Sequence, residues 1–342
     1  MMKKIFVLAT MLLLCMGLAQ ARSWRINSDA SKRPHFASIN AAMSNAEVVA
    51  GDTLYLDPGC NLTADQNVTK QVTIIGCGYF LDGSPYGNAI INAQIWLKAA
   101  GIKMEGVDVV WGKRTTINAS NVVLERCKLW DVFWSGTGQN TVFRQCFIFG
   151  RVVGLGTNSA NSTGCTIENC IINYDYQGSF SAVSDFQNLT LRNNFVKCYT
   201  GNTGNLIANM TNATIVDNIL LQSGKANLMF SGLTTSIVKN NVLSCAEGTY
   251  TAYPDNVCLG SNSDAVVLAL EGSNDQRYRL KDDSPARGAA TDGGDCGPFG
   301  GMYPYVCSGY PLGMPHFESS SMPTRPQDGV LRITQKVVLQ AE

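Results

Sequence analysis

VVLERCKL (122–129), TVFRQCFI (141–148), CTIENCII (165–172), LTLRNNFV (189–196), ATIVDNIL (213–220) and SIVKNNV (236–242) are six versions of one unit. Each is a short β-branched or aromatic run, a single Cys or Asn, and a second such run. The turn residues Cys127, Cys146, Cys170, Asn194, Asn218 and Asn240 lie 19, 24, 24, 24 and 22 residues apart, and a period in that range marks a solenoid. Working outward, VTIIGCGYF (72–80) and IKMEGVDVV (102–110) are degenerate units with Cys77 and Val107 in the turn slot, which makes about eight rungs readable. Runs of three or four residues are too short for helix and rich in strand formers. Neither the Leu/Asn spacing of leucine-rich repeats nor amphipathic runs of ten or more residues occur. The pattern therefore predicts a parallel β-helix whose coils stack at roughly 4.8 Å, a rod of about 40 Å. Asn194, Asn218 and Asn240 are expected to form an inward amide ladder, continued by Cys127, Cys146 and Cys170 as small apolar residues.

Three stretches resemble the right-handed parallel β-helix proteins of the pectate-lyase-like superfamily. FASINAAMSNAEVVAGDTLYLDPG (36–59) is similar to that group's entry, in which a short amphipathic helix, here with Phe36, Ile39 and Met43 on one face, plugs the open end. The repeated units resemble its coils, with Asn in the turn between the second and third strands. YRLKDDSPARGAATDGGDCGPFGG (278–301) is similar to the closing segment of many secreted bacterial members. The resemblance covers about residues 36 to 301 and implies an all-β, right-handed parallel β-helix solenoid with an N-terminal capping helix and a C-terminal extended tail. It implies no single activity, because the scaffold hosts lyases, hydrolases, esterases, epimerases and adhesins.

The first 21 residues read as a secretory signal: Lys3 and Lys4, an apolar stretch from Ile5 to Leu18, and Ala19-Gln20-Ala21 as the cleavage site. The expected organisation is thus a signal peptide (1–21), an N-terminal cap (22–50), the parallel β-helix (51–301), and a Pro-rich tail with a terminal strand (302–342). LRITQKVVLQ (331–340) alternates as a strand that would cover the C-terminal end. The product is expected to be exported, to the periplasm, the cell surface or the medium, with no transmembrane segment. The chain has 26 basic and 26 acidic residues, and no basic patch argues for nucleic acid. Removing Cys15 with the leader leaves an odd number of cysteines; Cys245 with Cys258 and Cys296 with Cys307 are the pairs that would close short loops. The two histidines, His35 and His316, lie beyond the coils, which excludes His-based triads and general-base schemes on the solenoid.

Stacking the coils places WGKR (111–114), WDVFW (130–134), FGRVV (149–153), NYDYQ (173–177) and KCYT (197–200) on one side, in the loops after each third strand. Asp131, Arg151 and Asp175 fall four, five and five residues after their turn residues, so three consecutive rungs gather them in one column. Trp111, Trp130, Trp134, Tyr174, Tyr176 and Tyr199 surround them, with Lys113, Arg114 and Lys197 nearby. Aromatic faces beside charged groups suit the apolar faces and polar rims of sugars. The expected function is polysaccharide binding on this loop face, with no cofactor. One alternative is a polysaccharide lyase or glycoside hydrolase at Asp131, Arg151 and Asp175. For a lyase, Lys113, Lys197 or Arg151 would serve as base or carboxylate clamp, and Asp131 and Asp175 would recruit calcium. A third reading is a structural or adhesive surface rod, its surface ion pairs and aromatics merely structural. The neighbouring strand face, from TTINAS (115–120) to NLMFSG (227–232), carries Asp185 as its single charge, which leaves it little with which to do acid–base chemistry.

Overall fold

The computed structural model describes residues 21–339 apart from 82–86, 157–159, 175–177, 199–202, 223–228, 246–248, 250, 261–263, 273, 312–314 and 322–333. The strands sort into three parallel sheets, giving a right-handed parallel β-helix. Among the described residues the first sheet has ten strands, from Ser23–Ile26 to Ile237–Lys239; the second has ten, from Asn61–Leu62 to Val257–Cys258; the third has eight, from Gln66–Val68 to Phe230–Thr234. Each strand pairs with its counterpart one coil on, so that Val123, Val142, Thr166, Thr190, Thr214 and Ile237 form one row.

In the six coils from Val123–Glu125 to Ile237–Lys239 the chain turns from the first sheet to the second through two residues. The first, at Arg126, Gln145, Asn169, Asn193, Asp217 and Asn240, sits in the left-handed region with φ between 50 and 61°, where Asn and Asp are better tolerated than most side chains. The second points inward. In this slot Asn194, Asn218, Asn241 and Asn256 form the amide ladder: each Oδ1 from Asn218 onward accepts the backbone N–H and the Nδ2 of the Asn one coil before it, at 2.9–3.0 Å. The ladder residue of the sixth unit is therefore Asn241, not Asn240. Of the two adjacent asparagines, the register Val216↔Lys239 aligns Asn240 with the left-handed Asp217 and Asn241 with Asn218. The column continues through Cys170, whose N–H donates to Asn194 Oδ1 at 2.9 Å, to Cys146 and Cys127. Their thiols donate to main-chain carbonyls, among them Glu168 O, Leu124 O and Met104 O, at 3.3–3.4 Å.

At the N-terminal end, Ser38 Oγ caps a helix over Ile39–Ser44 that buries Ile39, Ala42 and Met43. Its Asn40 bonds both Gln66 and Asn67 in the first strand of the third sheet, so this helix covers that sheet's open edge. Thr334–Leu339 pairs antiparallel with Pro315–Ser321 in a two-stranded sheet of its own and adds to none of the three solenoid sheets. No helix among the described residues is long and apolar enough to cross a membrane.

The second sheet is buried on both faces, which is why its strands read as continuous apolar runs. Its outward Phe147, Ile171, Phe195, Ile219 and Val242 lie in a second core with Val267, Leu268, Ala286, Ala290 and Tyr305 of the closing segment. That segment is pinned by a buried chain in which Tyr79 Oη lies 2.6 Å from Tyr305 Oη, and Tyr305 Oη donates to Asp275 Oδ2 at 3.1 Å. The closing segment lies over the second sheet, and the third sheet with the loops that lead into it is left uncovered by it.

Candidate functional site: an aromatic and basic face on the third sheet

The third-sheet strands alternate. In Val132–Trp134 the outer residues are buried and Phe133 faces out, in register with Thr116 and Trp96 on one side and Val153 on the other. Arg114 and Arg151 each occupy the position just before a strand of this sheet, so both reach over the same ring: their guanidinium carbons lie 4.2 and 5.0 Å from the Phe133 centroid. Arg151 is also 4.3 Å from Phe180, whose side chain is exposed. Arg114, Phe133, Arg151 and Phe180 therefore make one alternating cation–aromatic stack, favourable because the ring faces carry negative charge density. Lys98 approaches Trp96 farther along the face, at 5.9 Å.

A second feature lies at the loop edge. Trp111, Trp130 and Phe149 occupy consecutive coils with ring centroids 5.0 and 5.1 Å apart, close to the inter-strand spacing of about 4.8 Å that stacks them. Trp111 is 66% exposed. Below them Lys128 Nζ lies 3.1 Å from both oxygens of the buried Asp108, between the rings of Phe80 and Phe149. Asp131 joins the two features. Its Oδ1 accepts the Arg151 N–H at 2.9 Å, and its Oδ2 is 3.7 Å from the Arg151 guanidinium. Gly150 makes this possible, because a Cβ there would stand 2.5 Å from Asp131 Oδ1.

The structure thus brings together Trp111, Trp130, Arg114, Asp131 and Arg151 of the residues singled out from sequence, with Lys113 half-buried in the turn beside Trp111. It separates others. Trp134 is 3% exposed, its Nε1 donating to Gly138 O at 2.9 Å inside the coil and its ring 5.0 Å from Phe186. Tyr174 is buried as well. Lys197 projects from the second sheet and bonds Asp264 of the closing segment at 2.6 Å, so it belongs to the covered side. Asp175, Tyr176 and Tyr199 lie outside the described residues. Phe133, Phe149 and Phe180 were not expected; the signal for them was the alternation along Val132–Trp134 and an arginine directly before two strands of one sheet.

Asp185 has both oxygens engaged, by Ser184 Oγ at 2.6 Å and Asn209 Nδ2 at 3.0 Å. At the expected calcium site an arginine N–H and guanidinium oppose the Asp131 carboxylate, and its expected partner Asp175 lies outside the described residues.

No protein-family profile and no curated protein matches this chain. Among solved structures it is similar to a pectate lyase from a Bacillus species crystallised with trigalacturonate, at 12% identity and a TM-score of 0.46, covering 77% of this chain and 90% of that one. It is likewise similar to pectate lyase Pel9A, at 12% identity and a TM-score of 0.45, covering 83% and 97% respectively.

Proposed function

We propose that this chain is an exported β-helix protein that binds a polysaccharide bearing acidic groups along the third sheet and its loop edge. The observation that carries the reading is the ladder of exposed Trp111 and half-buried Trp130 and Phe149 beside the Arg114–Phe133–Arg151–Phe180 stack. Rings on successive coils offer stacking platforms for the C–H faces of sugars, and guanidinium forks suit carboxylates by paired hydrogen bonds. Cleavage at Asp131 and Arg151 is the second reading. The geometry favours binding, because a general base must reach a substrate proton and Asp131 already holds the Arg151 N–H and faces its guanidinium.

Affinity electrophoresis in gels cast with neutral or uronate-containing polysaccharides tests the proposal. Retardation is expected in the uronate gels, weakened about tenfold in Trp111→Ala and Arg114→Ala, a typical loss for one aromatic or arginine contact. Retardation unchanged in both variants would refute this location, a cleared zone in the gel would establish the enzyme, and no retardation with any polymer would favour the structural rod.

A further inference from the structure

Between Val242–Leu243 and Val257–Cys258 the chain runs through a segment bracketed by two cysteines, whose described residues before Val257 are turns and irregular backbone. Within it Tyr253 packs on Phe230 of the final third-sheet strand, ring centroids 5.7 Å apart. Asp255 O accepts the Asn240 N–H at 2.6 Å. Asn256 ends the amide ladder, taking both donors of Asn241 at 2.9 Å and donating to Val238 O and Tyr253 O. The loop is therefore the C-terminal plug of the rod, doing there what the Ile39–Ser44 helix does at the other end. Its two ends, Cys245 and Cys258, lie on adjacent coils but are offset along the chain, since Cys258 pairs with Leu243, two residues before Cys245, and the two sulfurs are 2.9 Å apart. Both side chains face the interior and contribute to the main core. From that approach the sulfurs need to close by about 0.9 Å to reach the S–S bond length of about 2.0 Å.

We propose that Cys245 and Cys258 are an oxidation site whose disulfide staples the C-terminal plug to the last coil. The oxidant is a disulfide donor, either a small molecule or a thiol–disulfide exchange protein. Cys258, the more exposed of the two, attacks the donor as thiolate, breaking its S–S bond, expelling one donor thiolate and forming a mixed disulfide. Cys245 then attacks the Cys258 sulfur and expels the second donor thiolate. Two protein S–H bonds give way to one S–S bond, the donor is reduced to two thiols, and the two protons pass to them. The second attack is the slower one at neutral pH, because burial pushes the Cys245 thiol up to about 12; closure therefore accelerates in alkali.

The other cysteines provide internal controls. Cys127, Cys146 and Cys170 are fully buried and donate to carbonyls. Cys296 donates to Asn240 O at 3.2 Å, whereas Cys307 accepts from Arg279 at 3.8 Å. Cys296 and Cys307 are thus engaged separately, so this second loop-closing pair is expected to stay reduced.

The experiment uses the full chain, purified in reductant, desalted and treated with oxidised glutathione as donor. Intact mass should fall by about 2 Da, the two hydrogens of one disulfide, and non-reducing peptide mapping should join the Cys245 and Cys258 peptides. Oxidised protein should also melt at a higher temperature than reduced protein, and Cys258→Ser, at a half-buried position, should abolish both the mass change and the gain. An unchanged mass, a stable glutathione adduct on Cys258, a link between any other pair, or an equal gain in Cys258→Ser would each overturn the proposal. None of these readouts depends on glycan binding.

Discussion

Replacing Asn218 by Ala tests whether the amide ladder holds the coils in register. Asn218 is fully buried. Its Oδ1 accepts the Asn194 backbone N–H and the Asn194 Nδ2, both at 2.9 Å, while its Nδ2 donates to Leu191 O, Val216 O and Asn241 Oδ1 at 2.8–2.9 Å. Truncation removes all five contacts, but they do not count equally. Asn194 Nδ2 keeps Ile167 O and Arg192 O, Val216 O keeps the Asn193 N–H, and Asn241 Oδ1 keeps the Asn218 N–H. The group left without a partner is the Asn194 backbone N–H, and an orphaned buried donor costs about 1–3 kcal/mol. The other bonds add about 0.5–1 kcal/mol each at the low end of the net range, since most of their atoms stay satisfied. The total is about 3–7 kcal/mol. Asn218→Cys should cost about half as much, because a thiol in this slot both accepts, as Cys170 Sγ does from the Cys146 N–H at 3.4 Å, and donates to a carbonyl. Urea unfolding of the full chain, followed by far-UV circular dichroism with the m value checked for constancy, gives both numbers. An Ala variant within about 1 kcal/mol of wild type, or a Cys variant no better than Ala, would refute the argument that side-chain satisfaction in this column carries the stability.

Trp134→Ala should lower stability by about 3–5 kcal/mol, as for a buried aromatic, yet leave glycan affinity of the folded protein intact; Trp111→Ala should do the reverse, and thermal melts beside affinity gels separate them. Asp275 is buried against Tyr305 and Ser308, and desolvation raises its pKa above the ordinary carboxylate value. The folded state then holds a proton that the unfolded state releases, so stability should fall as pH rises from the ordinary value through the raised one; Asp275→Asn should flatten that part of the pH–stability curve, and an unchanged slope would sink the assignment. Glu168 is buried and joins Arg144 and Arg192, each through Nε at 2.8 Å. Glu168→Gln should cost about 2 kcal/mol in urea unfolding, below the ~3–5 kcal/mol of a fully buried pair, because the Arg192 side chain is 43% exposed. Arg114→Ala should reduce the salt dependence of retardation in uronate gels as well as its strength, since a screened charge contact is being removed.

The sequence carried the solenoid because stacking makes each coil answer to the one below it. An inward slot flanked by the same alternation six times cannot be anything but a column, and Cys127, Cys146, Cys170, Asn194 and Asn218 all stand in it. The single misplacement, Asn240 for Asn241, arose where two asparagines adjoin and composition cannot separate a left-handed residue from an inward one; the strand register does. The site was legible only where it lay at the loop edge. A tryptophan count on one side of the rod treats Trp130 and Trp134 alike, yet strand alternation sends Trp134 inward and leaves Phe133 outside. Lys197 is hidden from a local reading for a related reason: it belongs to a second-sheet strand, and nothing in KCYT tells that a segment about seventy residues later folds over that sheet and supplies Asp264. The strand face itself looked nearly uncharged because its charge comes from residues just before the strands. Arg114 and Arg151 stand in the loops just before their strands, but an arginine stem is long enough to lie along apolar surface while its head reaches elsewhere, and Phe133 is where both heads go. In a β-helix the residue preceding a strand can therefore furnish the chemistry of that strand's outer face, and a reading of such sequences gains most by extending each strand one residue toward its N-terminus before asking what its surface can bind.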